Sequence, residues 1–264
     1  MENETEIKIL LTNDDGIRAE GLISLARAMS GLGDIVVVAP ASQQSAVGHS
    51  ITLHKPLRCI PEPDFPVKNI RVFSTNGTPT DSVLLGIHGI FGEKPDIVIS
   101  GINSGPNLGY DVTYSGTVAG AMEGVVAGIP SISVSMGAFE NIDYDGCARF
   151  IRKLTKLVVA SNFKSVVLLN VNYPNLPEES INGVAVTRLG QRWYDDVLHK
   201  RVDPRGREYF WVTGKSVSAC SQPDTDACEL ERGFISITPL SLDMTDTQSM
   251  DEIAGILTDS FVGK

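Results

Sequence analysis

The sequence is poor in positive charge and in the signals that mark export or membrane insertion. Its 22 Lys and Arg are outnumbered by 32 Asp and Glu, giving a formal net charge of -10, so we expect no broad attraction to nucleic acid or to an anionic membrane. The first six residues are acidic and lack an apolar region, and no apolar run is long enough to span a bilayer. The four cysteines form no Cys-x-x-Cys pair. We therefore expect a cytoplasmic protein with reduced thiols.

Three common motifs for phosphate binding or catalysis are also missing. There is no G-x-x-x-x-G-K-[ST] loop, so the phosphate-gripping lysine of that loop is absent. No G-x-G-x-x-G follows the first apolar run, which disfavours a dinucleotide-dependent oxidoreductase, and no G-x-S-x-G elbow occurs. Because the net charge is -10, any phosphate ligand must be held by a local positive field rather than by the whole surface.

What is present is an alternation of strand-like and helix-like segments, which is typical of α/β proteins. Buried strands are predicted within residues 7–16, where the strand stops at a turn, and at 34–40, 70–73, 96–100, 131–135 and 165–170; helices are predicted near 19–30, 82–89, 117–127 and 143–160. Thr78 before Pro79 fits the start of a helix, as its N-cap. The alternation predicts a doubly wound, mostly parallel sheet with helices on both faces.

The pattern changes after residue 178. Residues 190–215 mix aromatic and charged side chains around the turn Asp203-Pro204-Arg205-Gly206, which predicts a β-hairpin without a clear hydrophobic face. Because an isolated hairpin is marginal in water, we expect this arm to pack on another subunit. We predict one structural domain, with a catalytic core at 1–178 and an extension at 179–264 that returns to the core after the arm. The aromatic residues of the arm are Trp193, Tyr209, Phe210 and Trp211.

Two adjacent carboxylates, Asp14 and Asp15, end the first apolar run directly before Gly16. Ligand sites of parallel sheets lie at the carboxyl ends of the strands, and a divalent cation would relieve the repulsion between two carboxylates placed there. An equally good interpretation is that one Asp caps the next helix and the other is solvated. The loop after the second strand, residues 41–50, offers serine hydroxyls as further oxygen ligands, although serines also serve ordinary turns.

The densest signal is the glycine-rich stretch Ser100 to Gly109, followed by a helix that opens at Ser115-Gly116-Thr117. The amide oxygens of Asn103 and Asn107 are neutral ligands for a cation, and a helix N-terminus with hydroxyls is an anion site. The alternative is a closely packed turn that binds nothing. His49 and His54 lie near this region in sequence, and structural roles are expected for both.

These segments together resemble the SurE family of stationary-phase survival proteins, which are metal-dependent nucleotide phosphatases. The resemblance rests on Thr12-Asn13-Asp14-Asp15-Gly16, Val38-Ala39-Pro40, Gln44-Ser45-Ala46, Asn76-Gly77-Thr78-Pro79, Ser100-Gly101-Ile102-Asn103, Tyr114-Ser115-Gly116-Thr117-Val118-Ala119-Gly120-Ala121, Asp203-Pro204-Arg205-Gly206-Arg207 and Ile235-Ser236-Ile237-Thr238-Pro239-Leu240. It implies a Rossmann-like three-layer core and a 5′-nucleotidase that hydrolyses nucleoside 5′-monophosphates, with some activity on 3′-nucleotides and polyphosphate. It also implies homodimers or homotetramers built through C-terminal arms.

Residue by residue, the resemblance assigns one divalent cation, Mg²⁺ or Mn²⁺, to each subunit. Its ligands would be Asp14, Asp15, Ser45 and Asn103, of which the two aspartates and Asn103 are also the expected catalytic residues. The predicted phosphate-binding residues are Asn107, Ser115, Gly116 and Thr117. We expect in-line attack of an activated water on phosphorus, stabilised by the cation and the helix N-terminus.

Other chemistries are compatible with parts of this pattern. Asp14 is an alternative covalent nucleophile, although aspartyl-phosphate enzymes usually separate their two aspartates by one residue. A regulatory nucleotide-binding module would use the same helix start without turnover or a cation. The nucleoside is expected to lie between residues 42–49 and 103–110, with Tyr110 or Tyr114 stacked on the base.

Overall fold

The computed structural model describes residues 6–161, 163–191, 194–216, 220 and 222–258. Eleven strands occur among them, and nine form a single central sheet. The strands are β1 (Ile7–Thr12), β2 (Gly33–Pro40), β3 (Cys59–Pro61), β4 (Arg71–Thr75), β5 (Ile97–Asn103), β6 (Ser131–Met136), β7 (Leu168–Tyr173), β8 (Val184–Val186), β9 (Tyr194–Val202), β10 (Glu208–Ser216) and β11 (Ile235–Leu240).

The central sheet has the order β3-β4-β2-β1-β5-β6-β7-β11-β8. All neighbours from β4 to β7 are parallel, whereas β3 and β11 run antiparallel to β4 and β7. The chain winds outward from β1 through β2 to β4 and then returns to place β5 on the other side of β1. The predicted doubly wound sheet is confirmed, and the topological switch point lies between β1 and β5, where such sheets bind ligands.

Helices cover both faces of the sheet. They are α1 (Glu20–Met29), α2 (Pro79–Leu84), α3 (Gly116–Val126), α4 (Tyr144–Ala160), α5 (Asp226–Glu231) and α6 (Thr247–Leu257). Alternate residues of β1 point to opposite faces: Ile9 and Leu11 join the cluster that includes α1 and α4, while Leu10 joins the cluster with α2. These strands are buried on both faces, which explains their continuous apolar runs.

Most predicted elements lie within a few residues of the observed ones. Thr78 is the N-cap of α2 as predicted, and its hydroxyl accepts a hydrogen bond from the backbone N–H of Asp81 at 3.1 Å. The helix predicted at 82–89 instead begins at Pro79 and continues as a π-helix over Leu85–Phe91. The strand predicted at 165–170 is also displaced, since β7 begins at Leu168 and extends to Tyr173.

The C-terminal part contributes both to the central sheet and to a separate hairpin. β11 lies between β7 and β8 in the central sheet, whereas β9 and β10 form a separate antiparallel ladder and, among the described residues, pair with no other strand. This hairpin matches the predicted arm, although Trp193 lies outside the described residues. The division of the domain at residue 178 remains a prediction.

Two further findings bear on the expectations about membranes and thiols. Across the described ranges, none of the helices combines the length and apolarity needed to cross a bilayer. Cys220 and Cys228 form a disulfide, so the expectation that all thiols are reduced is wrong for this pair. The bond joins the segment after the arm to α5. Its two cysteines are 8 residues apart, which is not the spacing of a Cys-x-x-Cys pair. Cys59 and Cys147 are free thiols.

Candidate metal and phosphate site

The turn after β1 is organised by a buried asparagine. The side chain of Asn13 is fully buried, and its amide nitrogen donates to the carbonyl oxygen of Gly16 at 3.0 Å. Its amide oxygen accepts from the N–H of Gly16 at 3.2 Å. Gly16 has a φ of 102°, a conformation that favours glycine. This closed turn holds Asp14 and Asp15 at the carboxyl edge of the sheet.

Asp14 is the more buried of the two carboxylates, with only 6 % of its surface exposed. The hydroxyl of Thr117, in the first turn of α3, donates to its Oδ1. Burial raises the pKa of Asp14 to about 6; the bond from Thr117 opposes this rise, and the nearby charge of Asp15 adds to it. A bound cation would remove this cost of holding a carboxylate charge away from water.

Asp15 is half-buried and is held by two donors. The backbone N–H of Ser104 donates to its Oδ2 at 3.1 Å, and Nε2 of Gln43 lies 3.5 Å from its Oδ1. Burial raises the pKa of Asp15, and the bond from Ser104 partly offsets that rise. The loops after β2 and β5 therefore meet at the second carboxylate.

The neutral oxygen ligands come from those same two loops. Asn103 ends β5, and its amide nitrogen donates to the carbonyl oxygens of Gly105 at 2.7 Å and Ser104 at 3.3 Å. Neither bond uses the amide oxygen of Asn103, which is the atom expected to bind a cation. Ser45 is exposed in the loop after β2, and that loop is tied to the first turn because the N–H of Gln44 donates to the carbonyl oxygen of Asp14 at 2.7 Å.

The N-terminus of α3 lies directly against Asp14. Ser115 is the N-cap, and its hydroxyl accepts from the N–H of Val118 at 3.1 Å. A Cβ atom added at Gly116 would lie 2.8 Å from Cβ and 3.0 Å from Oδ2 of Asp14, so only glycine allows this approach. A Cβ at Gly120 would lie 2.8 Å from Oγ of Ser100, which shows how closely α3 rests on β5.

Asn107 makes hydrogen bonds to two neighbouring strands, which its predicted role in binding phosphate does not require. Its backbone N–H donates to the amide oxygen of Asn172 at 2.9 Å, and its own amide nitrogen donates to the hydroxyl of Ser135 at 2.8 Å. Its carbonyl oxygen accepts from the side-chain amides of Asn170 and Asn172. These bonds join the loop after β5 to β6 and β7, so Asn107 positions the loop whether or not it contacts phosphate.

One cavity of about 260 Å³ brings most of the predicted residues together. Its walls include Asp14, Asp15, Ser45, Asn103, Asn107 and Ser115. Gly116 and Thr117 do not line this cavity, and the Thr117 hydroxyl donates to Asp14. A direct bond from that hydroxyl to phosphate would therefore have to replace its bond to the carboxylate.

The contact that His49 makes agrees with its predicted structural role. Nε2 of His49 lies 2.9 Å from Oε2 of the largely buried Glu123 in α3, which fastens the Ser45 loop to that helix.

Sequence reasoning missed other residues near the carboxylates. Gln43 and Ser104 hold Asp15, but nothing in the sequence beyond their place in the two loops indicated this role. The buried Asn13 follows an apolar run and precedes a glycine, and that position is the one local clue to its turn-closing role.

The donors at this edge are suited to a hard divalent cation. Two carboxylates, an amide oxygen and a hydroxyl make an oxygen-only ligand set, which Mg²⁺ and Mn²⁺ prefer over the nitrogen and sulfur ligands of zinc sites. In the described part of the chain, this edge included, no group of three or more His, Cys, Asp or Glu side chains is arranged to hold a metal, so the site relies on two carboxylates together with neutral oxygen ligands.

Comparison with known proteins identifies the family. The family model described as "Survival protein SurE" matches residues 9–196, a span that contains every predicted site residue. The chain belongs to the SurE family. The predicted family is thereby confirmed.

Similar SurE proteins cover nearly the whole chain. A protein named 5′-nucleotidase SurE from Geobacter metallireducens is 46 % identical over 247 residues, covering 92 % of this chain and 95 % of its own. One of the same name from Moorella thermoacetica is 44 % identical over 251 residues, covering 95 % and 96 %. The solved structure of the SurE protein from Aquifex aeolicus superposes with a TM-score of 0.82 at 41 % identity, covering 94 % of this chain and 98 % of that one.

Proposed function

We propose that this SurE protein hydrolyses nucleoside 5′-monophosphates to nucleoside and phosphate with the help of one divalent cation per subunit, Mg²⁺ or Mn²⁺. The observation that carries the proposal is the pair Asp14 and Asp15, held at the switch point beside the N-terminus of α3 and opening into one cavity. The names of the curated relatives support nucleotide phosphatase activity, since they are 5′-nucleotidases.

Asp14, Asp15, Asn103 and Ser45 would hold the cation. When bound, a divalent cation at such a site polarises a phosphoryl oxygen and lowers the pKa of water. The two carboxylates would nearly neutralise its charge, so the substrate phosphate is attracted mainly by local donors rather than by a strongly cationic surface.

The protein's own contribution is to position the phosphate and to stabilise the charge that develops on it. The N-terminus of α3 offers backbone N–H groups and the Ser115 hydroxyl next to the carboxylates, an arrangement suited to a single phosphate group. Asp14 is better suited to be a ligand than a covalent nucleophile, because it is buried and one of its oxygens already accepts from Thr117.

The proposal extends to substrate range, assembly and place of action. We propose lesser activity on 3′-nucleotides and short polyphosphate, and no action on duplex DNA, because the formal charge of -10 disfavours long polyanions. Homodimers or homotetramers would form through the β9–β10 arm, and the enzyme would act in the cytoplasm.

The test is a phosphate-release assay on chelator-treated protein with AMP, GMP, 3′-AMP and glycerol phosphate, with and without added Mg²⁺ or Mn²⁺. We expect release from the 5′-monophosphates only when metal is restored. Tight nucleotide binding without release, unaffected by chelator, would instead identify a regulatory binding module. Equal kcat/KM for glycerol phosphate and every nucleotide would contradict a nucleotide-specific enzyme.

A further inference from the structure

A second cavity lies beside the metal and phosphate site at the same edge of the sheet. It has a volume of about 470 Å³ and is bounded by the loops after β5, β6 and β7 and by α5. Its floor is apolar, since Leu108 and Ala227 are buried together and Leu230 packs on them. Pro106 and Phe139 line both cavities, so the two spaces adjoin across these residues.

Phe139 is the most exposed of these apolar side chains, with 68 % of its surface open to solvent. Its ring rests on the glycine-rich loop, because a Cβ atom added at Gly105 would lie 2.1 Å from Cε1 of the ring. The hydroxyl of Ser104 donates to the carbonyl oxygen of Phe139 at 3.3 Å, while the N–H of Ser104 donates to Asp15. Ser104 thus joins the backbone at Phe139 to the Asp15 carboxylate, a link that does not depend on the aromatic ring.

We infer that this second cavity binds the base of the nucleotide and that Phe139 stacks on it. The inference rests on the proposed function and specifies where its substrate lies. A nucleoside monophosphate needs a charged site joined to an apolar one, and an exposed aromatic ring between them provides a stacking surface. The volume falls in the ordinary range of small-molecule sites, and the apolar floor suits a flat heterocycle rather than a second phosphate.

This assignment differs from the stacking partners expected from the sequence. Tyr114 lines the metal-site cavity and is largely exposed, but it does not line the second cavity. Stacking on Tyr114 would leave the apolar floor formed by Leu108 and Ala227 unused. The two arrangements therefore make opposite predictions for the variants Phe139→Ala and Tyr114→Ala.

The kinetic test compares AMP with ribose 5-phosphate, which carries the same phosphate and sugar without the base. For Phe139→Ala we expect kcat/KM for AMP to fall at least about tenfold, mainly through KM, with ribose 5-phosphate changed less than about twofold. Phe163→Ala is the matched control, since this exposed phenylalanine precedes β7 at the opposite edge of the sheet. Equal losses for both substrates, or a selective loss in Tyr114→Ala alone, would overturn the inference.

A binding test separates this inference from the proposed phosphatase activity. Adenosine lacks the phosphate, so its binding to chelator-treated protein, measured by saturation-transfer NMR, reports on the base cavity alone. We expect a signal for the unmodified protein that is lost in Phe139→Ala and in Leu176→Asp, which places a charge in the exposed wall of the cavity. Adenosine binding without AMP hydrolysis would reject only the proposed function, whereas undiminished binding in both variants would reject the base site.

Discussion

The carboxyl edge of the sheet and the β9–β10 arm are both prominent in the sequence, but they are built in opposite ways. At the edge, polar groups are buried and bonded to one another, as Asp14 is to Thr117 and Asp15 is to Ser104. In the arm, large apolar side chains are exposed: Trp211 by 62 % and Phe210 by 56 %. Each region departs from the usual rule of apolar inside and polar outside.

The difference indicates what each region lacks within the isolated subunit. A buried carboxylate pair is stabilised by a cation, while an exposed apolar strip is stabilised by another protein surface. The edge is therefore expected to respond to metal and to pH, whereas the arm is expected to respond to protein concentration.

The largest expected effect is the loss of catalysis when Asp15 is neutralised. Asp15→Asn should remain folded but lose at least about a hundredfold in phosphatase rate, the scale of removing one main electrostatic stabiliser. The assay is turnover of AMP by chelator-treated protein after Mg²⁺ is restored. Asp64→Asn is the control, because Asp64 is exposed and does not line the cavity. Near-normal turnover by Asp15→Asn would contradict the site.

Neutralising Asp14 should stabilise the metal-free protein at neutral pH. Burial raises the pKa of Asp14 from 3.8 to about 6, so the folded protein favours the protonated carboxyl group. The stabilisation of the fold by this protonated group is fully present below about pH 4 and is lost as pH rises through 6. The loss corresponds to roughly 3 kcal/mol. Asp14→Asn should therefore unfold at higher denaturant than the unmodified protein at pH 7 in chelator, with little difference at pH 4. Identical pH dependence of both proteins would show that the Asp14 charge is not costly.

A smaller effect is expected at the contact between α3 and the first turn. The methyl group of Gly116→Ala would collide with Asp14, so this variant should weaken metal binding as well as raise KM, each by about tenfold. This expectation differs from the one based on the sequence, in which Gly116 belongs to the phosphate site and its substitution changes metal affinity little. Calorimetry with Mn²⁺ measures the first quantity and AMP kinetics the second. Gly255→Ala in α6 is the control, since an added Cβ there meets no atom within 4 Å. If metal affinity were unchanged, Gly116 would belong to the phosphate site and not to the support of the metal ligand Asp14.

The sequence predicts the edge well where local chemistry decides the structure. Asp14 and Asp15 follow a buried strand, Asn103 ends another, and Ser115 precedes a helix. Since parallel strands and the helices that follow them share one edge, these positions converge without any knowledge of the loops. The N-cap at Thr78 was predictable for the same local reason.

The parts of the site that the sequence does not predict depend on contacts between distant segments. Ser104 reaches Asp15 across 89 residues and the carbonyl oxygen of Phe139 across 35. No local propensity determines how these loops approach, because their paths are set by the packing of β5, β6 and α5. The second cavity was missed for this reason. The bond between Cys220 and Cys228 was missed although it joins residues only 8 apart, because that spacing matches no Cys-x-x-Cys pair.

The smallest expected effect on the subunit itself is that of changing the arm. Phe210→Ser with Trp211→Ser should alter the stability of the isolated subunit by less than about 0.5 kcal/mol, because both side chains are already exposed. The same variant should dissociate an arm-mediated assembly, since apolar contact area would be lost from its interface. Light scattering over a dilution series measures the particle mass, and denaturant unfolding measures the subunit. Phe163→Ser, an exposed aromatic outside the arm, is the control. If the variant kept the mass of the unmodified protein but unfolded far more easily, the arm would belong to its own subunit's fold. The contrast between the two regions would then disappear.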